Sequence, residues 1–242
     1  MELIKKSFEE IKKTRNQEEI NMFLIKLSKN PIEDYLNILE YFINNLEPEI
    51  MNAIKLNLIF LLGEIGKTTA LKREFINFIL NMYSTSDRWV RNEIIQTIEK
   101  ISNHSQLSED IINLIENALN DEYSPIRHNV LKVLLKLEKQ PNVRNIFQIL
   151  NSKEPELVEI GLEVLIKHFP SNNQLFNSLN TSENHRILKS KAIRTLLLFY
   201  FRSIIDLDSF RNFIIKSTWL NDFKEKYLKE IEIYERILLK II

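Results

Sequence analysis

The sequence predicts an all-α chain built from about five stacked helical pairs, and three observations point there. Only three glycines (Gly63, Gly66 and Gly161) and six prolines serve 242 residues, too few for the many turns of a sandwich or barrel. Apolar residues recur at spacings of three and four, as in Ile94, Ile95, Ile98 and Ile101, or Leu131, Leu134, Leu135 and Leu137. That is the period of one helix face. Finally, one layout, a polar turn followed by an apolar and a basic residue and then aliphatic residues, returns along the chain.

The elements follow in order from these signals. Helices over 2–14 and 17–28 open the chain. "NPIE" then starts a helix over 31–46, with Asn30 as N-cap, Pro31 at the first helical position and Glu33 as the reciprocal partner of a capping box. Helices over 49–65, 70–82, 88–102 and 108–119 follow by spacing. "SPIR" starts 125–138 in the same way as "NPIE", with Ser124 as cap and Pro125 behind it. Helices over 142–150, 155–168, 172–179, 185–203, 207–216 and 219–241 complete the chain.

The repeat lies in the alternate helices. Val90-Arg91 falls on Ile126-Arg127 at an offset of 36, carrying Ile94, Ile95, Ile98 and Ile101 onto Val130, Leu131, Leu134 and Leu137. The same offset backwards reaches Ile54-Lys55 with Leu58, Ile59, Leu62 and Ile65 in phase. Forwards the period shortens to 31, reaching Leu157-Val158 with Gly161, Leu162, Leu165 and His168, then Leu188-Lys189 with Ala192, Ile193, Leu196 and Phe199. Five second helices share one phase, each preceded by a first helix. This is the signature of an α-solenoid, whose units bury their apolar faces only against neighbours.

"SDRWVRNEIIQTIEKI" and "DEYSPIRHNVLKVLLKL" resemble HEAT repeats: an acidic turn, a Val-Arg pair, then small or aliphatic residues at three and four spacing. "AIKLNLIFLLGEIG" is similar to the family's helix with its terminal glycine. The resemblance covers residues 31–205 and implies one right-handed solenoid over 1–242, with 1–30 and 206–242 as helical caps. It also implies a ladder in which Lys55, Arg91, Arg127 and Lys189 reach acids in neighbouring turns, Asp87, Asp121 and Glu122 being the candidates. Val158 interrupts it. The family serves many tasks, so the resemblance fixes architecture far better than function.

Composition narrows the function. Lys plus Arg (33) equals Asp plus Glu (33), so no global field draws the chain to nucleic acid or an anionic membrane. The absence of cysteine excludes disulfides and thiolate chemistry and suits a cytoplasmic location. The amino terminus carries charges throughout and lacks the apolar core of a secretory signal. "LLLFYF" at 196–201 is far short of the roughly 20 residues of a membrane helix.

Catalytic signals are weak. Gly66-Lys67-Thr68 looks like the end of a phosphate-binding loop, but Leu61 stands where that motif needs glycine, and the stretch closes a helix instead of opening one. The expectation is a left-handed C-cap at Gly66, with Lys67 at the negative helix end. His104, His128, His168 and His185 have no His, Asp or Glu at helical metal-site spacing. No catalytic residue, metal or cofactor is expected.

Binding surfaces come from the repeat phase. One column of second-helix surface positions reads Phe60, Gln96, Lys132, Glu163 and Arg194; its neighbour reads Leu56, Asn92, His128, Glu159 and Ser190; a third reads Glu64, Lys100, Lys136 and Lys167. Mixed polar columns with occasional aromatics suit a protein or peptide partner better than a polyphosphate track. With Trp89 added, the expected contacts are Trp89, Asn92, Gln96, His128, Lys132, Glu163 and Arg194. Trp89 is either a binding hot spot or, as the burial of large aromatics favours, a filler between repeats.

The alternative is nucleic-acid binding through Arg186, Lys189, Lys191 and Arg194, as the resemblance to HEAT-like alkyl-base DNA glycosylases implies. Residues 185–216 carry seven bases against two acids, a net +5, whereas 153–163 carries Lys153 against four glutamates, a net −3. A third reading, a lyase-like or chaperone-like accessory factor, rests on resemblance to chromophore-lyase repeats and has no residue of its own. In the last helix Phe223, Tyr227, Ile231, Tyr234, Leu238 and Ile241 form one stripe, which covers the final repeat or, as a second choice, pairs with another chain as a homodimer. The reading the sequence favours is a non-catalytic scaffold or adaptor.

Overall fold

The structure, a computed structural model, describes residues 2–102, 104, 107–181, 183–200 and 207–239. Every regular element among them is helical, and no helix there is long and apolar enough to cross a membrane. The chain divides into two compact units, Met1–Val133 and Leu134–Ile242.

The first unit holds α1 (Glu2–Thr14), α2 (Gln17–Ser28), α3 (Leu36–Asn45), α4 (Pro48–Gly66), α5 (Arg73–Tyr83), α6 (Arg88–Ile101), α7 (Glu109–Ala118) and most of α8 (Ser124–Lys136). Local chemistry fixes the starts. Asn16 Oδ1 accepts the amides of Glu18 and Glu19, Asp87 Oδ1 those of Trp89 and Val90, and Pro48 fills the first turn of α4. Each arrangement deals with amides that a helix start leaves without partners. Asp87 is therefore a cap and not the ladder acid that the resemblance implied.

Side by side, α2 packs on α4 and α4 on α6. Asn57 donates to Asn21 Oδ1 (2.9 Å), and Asn21 donates to the Ala53 carbonyl (3.2 Å). At the buried α4–α6 seam, Thr97 donates to the Ile59 carbonyl (3.2 Å). α4 and α6 run parallel, because Ile59 meets Thr97 while Gly66, further along, meets Ile101. Both α4 glycines sit at this seam. A Cβ on Gly63 would lie 2.7 Å from Thr97 Oγ1, and one on Gly66 would lie 2.4 Å from Ile101 Cγ2. No glycine has positive φ, and Lys67 after Gly66 is right-handed. The C-cap expectation for Gly66 is thus overturned: the glycine is needed for close helix approach.

The "NPIE" expectation also fails. Ile32 is extended, a single 3-10 turn covers Glu33–Tyr35, and α3 begins only at Leu36. Tyr35 and Leu36 are buried by this later start.

The second unit holds the end of α8 and α9 (Val143–Leu150), α10 (Pro155–His168), α11 (Asn172–Asn180), α12 (Ser190–Tyr200), α13 (Leu207–Lys216) and α14 (Asn221–Leu239). α9 packs on α10, and α14 on α12 and α13. Ser171 and Gln174 form a capping box at α11. The helix expected over 185–203 is interrupted: a 3-10 turn spans Asn184–Ile187, Leu188 is extended, and α12 starts at Ser190. The Asn151 side chain holds the break open by donating to the Ile187 carbonyl (2.8 Å) and accepting from the Lys189 amide (2.9 Å). Tyr227, Ile231 and Tyr234 of the α14 stripe are buried. Leu238 and Ile241 of that stripe, and Arg202 and Asp206 of the basic stretch, lie outside the described side chains.

Candidate interaction face

Of the implied ladder, the Arg91 rung is formed with Asp121. Arg91 grips Asp121 through Nε (2.9 Å) and Nη2 (3.1 Å) and donates to the Ser86 carbonyl (3.1 Å). The Asp121 side chain is 7% exposed and also accepts from the Tyr83 hydroxyl and the Tyr123 amide. Burial works to raise the Asp121 pKa, but the Arg91 guanidinium and these donors outweigh it and hold the carboxyl below its ordinary range. Lys55 instead bonds Asn52 Oδ1, and Arg127 reaches the carbonyls of Asp121 and Glu122. Lys189 makes no ion pair among the described residues.

The solvent face of α4 and α6 carries the first unit's candidate contacts. Leu56 is 40% exposed, Phe60 37% and Trp89 57%. Trp89 is therefore not a filler between repeats. It stands at the start of α6, edge-on to Tyr123 (6.0 Å), with the Arg88 guanidinium 5.1 Å from its ring and 5.3 Å from that of Tyr123. Asn92 accepts from Asn129 (3.0 Å) and is half-buried, as are Gln96 and His128; Lys132 is exposed.

Sequence reasoning missed the hub of this face. Lys100 Nζ lies 4.6 Å from the Phe60 ring and 3.1 Å from both Glu64 and Glu93, while Lys67 pairs with Glu64 at 2.6 Å. Burial alone would raise both carboxyls. At Glu64 the two lysines win and lower the pKa, whereas at Glu93 burial wins and raises it. The uniformity of the third column at Lys100 was the available signal. That column also set Glu64 of α4 beside Lys100, whereas the second acid, Glu93, lies seven residues back on α6 itself, a spacing the columns did not compare.

In the second unit Glu159 and Glu163 are exposed on α10. The basic patch is half matched by acids. Arg186 pairs with Glu183 (2.7 Å), and Arg194 Nε lies 2.9 Å from Glu230 Oε2 in an ionic contact without hydrogen-bond geometry. Lys189 and Lys191 are both exposed. Two histidines serve structure: His168 Nε2 meets the Leu134 carbonyl (3.0 Å), and His185 stacks on Trp219 (4.5 Å) with Phe223 edge-on. Neither ring nitrogen of His185 has a hydrogen-bond partner. Among the described residues no three His, Asp or Glu side chains gather as a metal site would need.

No family model and no curated protein matches this chain. One solved structure, an engineered protein of the Northeast Structural Genomics Consortium, aligns over 83% of this chain and 97% of its own, at 13% identity and a TM-score of 0.43. At that score the likeness decides nothing about fold or function.

Proposed function

We propose that the chain is a HEAT-like α-solenoid acting as a non-catalytic scaffold or adaptor, which holds a protein or peptide partner against the solvent face of α4, α6 and the start of α8. The observation that carries the reading is the exposure of Leu56, Phe60 and Trp89 on adjacent helices, since exposed aromatics beside cationic side chains are the material of binding hot spots. Arg88 and Lys100 lie against two of these rings, fixing their orientation before a partner arrives and so reducing the entropy lost on binding. The repeat reading is supported by side-chain links 36, 37 and 38 residues apart, close to the period of 36: Asn57 with Asn21, Asn129 with Asn92, and Thr97 with the Ile59 carbonyl.

A photo-crosslinking side chain placed at Phe60, and separately at Glu159 on the second unit's surface, tests this in cells. A discrete protein adduct at Phe60 that is absent at Glu159 supports the reading. Adducts of equal identity and yield at both positions, or none at Phe60, contradict it.

A further inference from the structure

We propose that the edge of the α1/α2 hairpin turned away from α4 is a self-association surface, covered by a second copy of this chain through antiparallel pairing of its own α2. The proposal rests on the repeat reading, because it compares α2 with α4 one period of 36 residues later, in the register set by the Asn57–Asn21 hydrogen bond. On α4, Leu58 and Leu61 are completely buried, while Met22 and Ile25 at the corresponding places on α2 are 67% and 43% exposed. The next positions follow suit: Leu62 and Ile65 are buried, but Lys26 and Lys29 are exposed. An edge that a neighbouring hairpin covers on α4 is thus open on α2. There a groove of about 730 Å³ runs between α1 and α2, walled by Glu10, Ile11, Met22 and Ile25.

The charges say which occupant fits. α2 carries Glu18 and Glu19 in its first turn, Lys26 in its last and Lys29 just beyond. A two-fold axis beside Met22 sets Glu19 against Lys26 of the partner subunit, and the same pair forms again in reverse. The apolar centre, Met22 and Ile25, closes on itself. Such self-complementarity is what an isologous interface demands, and an unrelated helix would need its own matched charges to do as well. Thr14 donates to Glu19 Oε2 (2.7 Å), so the carboxylate is already oriented, and Lys26 makes no ion pair among the described residues. Two 12-to-13-residue helices present a face on the order of 400 Å² per copy, below a standard interface, so the dimer is a weak one.

Sedimentation equilibrium of the purified full chain, from roughly 10 μM to 1 mM, tests this, because weak interfaces of this size dissociate in that range. The mass is expected to rise from the monomer's 28.9 kDa towards twice that value. Met22→Glu, at an exposed site, abolishes the rise while circular dichroism is unchanged. Glu19→Lys and Lys26→Glu each weaken association by about fivefold or more, and combining them restores it, as charge pairing across an interface requires. A chain that stays monomeric at 1 mM, a dimer that survives Met22→Glu, or charge variants whose combination rescues nothing would each overturn the proposal. The measurement uses the protein alone, so its failure leaves the Phe60 and Trp89 face untouched, and the crosslinking result in turn leaves the dimer untouched.

Discussion

Replacing Asp121 with alanine removes the acceptor on which three donors of the first unit converge. Arg91 loses both guanidinium contacts, at 2.9 and 3.1 Å, and the Tyr83 hydroxyl and the Tyr123 amide lose theirs, each at 2.9 Å. Stranding one member of a buried pair costs about 3–5 kcal/mol. Arg91, however, is 18% exposed and keeps the Ser86 carbonyl, which puts its share below that range, at about 2 kcal/mol. The two remaining donors add about 0.5–1 kcal/mol each. The expected loss is about 3 kcal/mol, and Asp121→Asn, which keeps an acceptor, loses about half as much. Urea unfolding at neutral pH is the assay, followed by the fluorescence of Trp89 in a Trp219→Phe background, because the two tryptophans fall in different units. With a slope of about 2 kcal/mol per molar urea, the midpoint falls by about 1.5 M. Because the folded-state pKa of Asp121 is depressed, its contribution is full above the ordinary aspartate pKa of about 3.9 and is lost as pH falls through the lower, folded value. Wild type and variant therefore converge in strong acid. A loss under about 1 kcal/mol, or strict additivity with Arg91→Ala, would refute the reasoning.

Two further predictions concern a glycine and a histidine. Gly66→Ala is expected to destabilise by about 1–2 kcal/mol, overpacking against Ile101 outweighing the gain in helix propensity. Gly66→Asn should be worse still, whereas a left-handed cap would tolerate asparagine; equal or better stability for Asn over Ala in thermal unfolding would contradict close approach as the cause. Burial is the main influence lowering the His185 pKa, with Arg186 adding to it and Glu183 opposing. The folded state therefore favours the neutral ring, and the second unit's stability is full above the ordinary histidine pKa of about 6.5 and declines as pH falls through the lower, folded value. His185→Phe should flatten that decline in Trp219 fluorescence melts, and an unchanged pH profile in the variant would exclude His185 as its source.

Helices were legible wherever apolar periodicity ran uninterrupted, as at Glu2–Thr14, Gln17–Ser28 and Pro155–His168, because the period is set by geometry that every helix shares. The misplacements occur where a side chain distant in sequence decides the backbone. Leu188 and Lys189 fit the repeat by pattern, yet Asn151 bonds both sides of the break there, and nothing near residue 188 announces it. Gly66 illustrates the same limit, since its neighbour Ile101 belongs to another helix. Within the candidate face, the columns picked out Phe60 by phase, whereas Trp89 entered only through its place before Val90, where burial of large aromatics favoured a filler. The columns could not tell that Gln96 and His128 are half-buried, because burial between parallel helices depends on the size of the neighbours and not on phase alone.

The most direct test of the scaffold account is affinity capture from the source cell, comparing the wild-type chain with a Leu56→Ser, Phe60→Ser, Trp89→Ala variant that matches it in thermal stability. The account predicts a discrete protein recovered with wild type, reduced about tenfold or more with the variant, as loss of a hot-spot cluster implies, and retained as salt rises. Recovery of nucleic acid whose binding falls steeply with salt and ignores these three substitutions would contradict it and turn attention to Lys189 and Lys191.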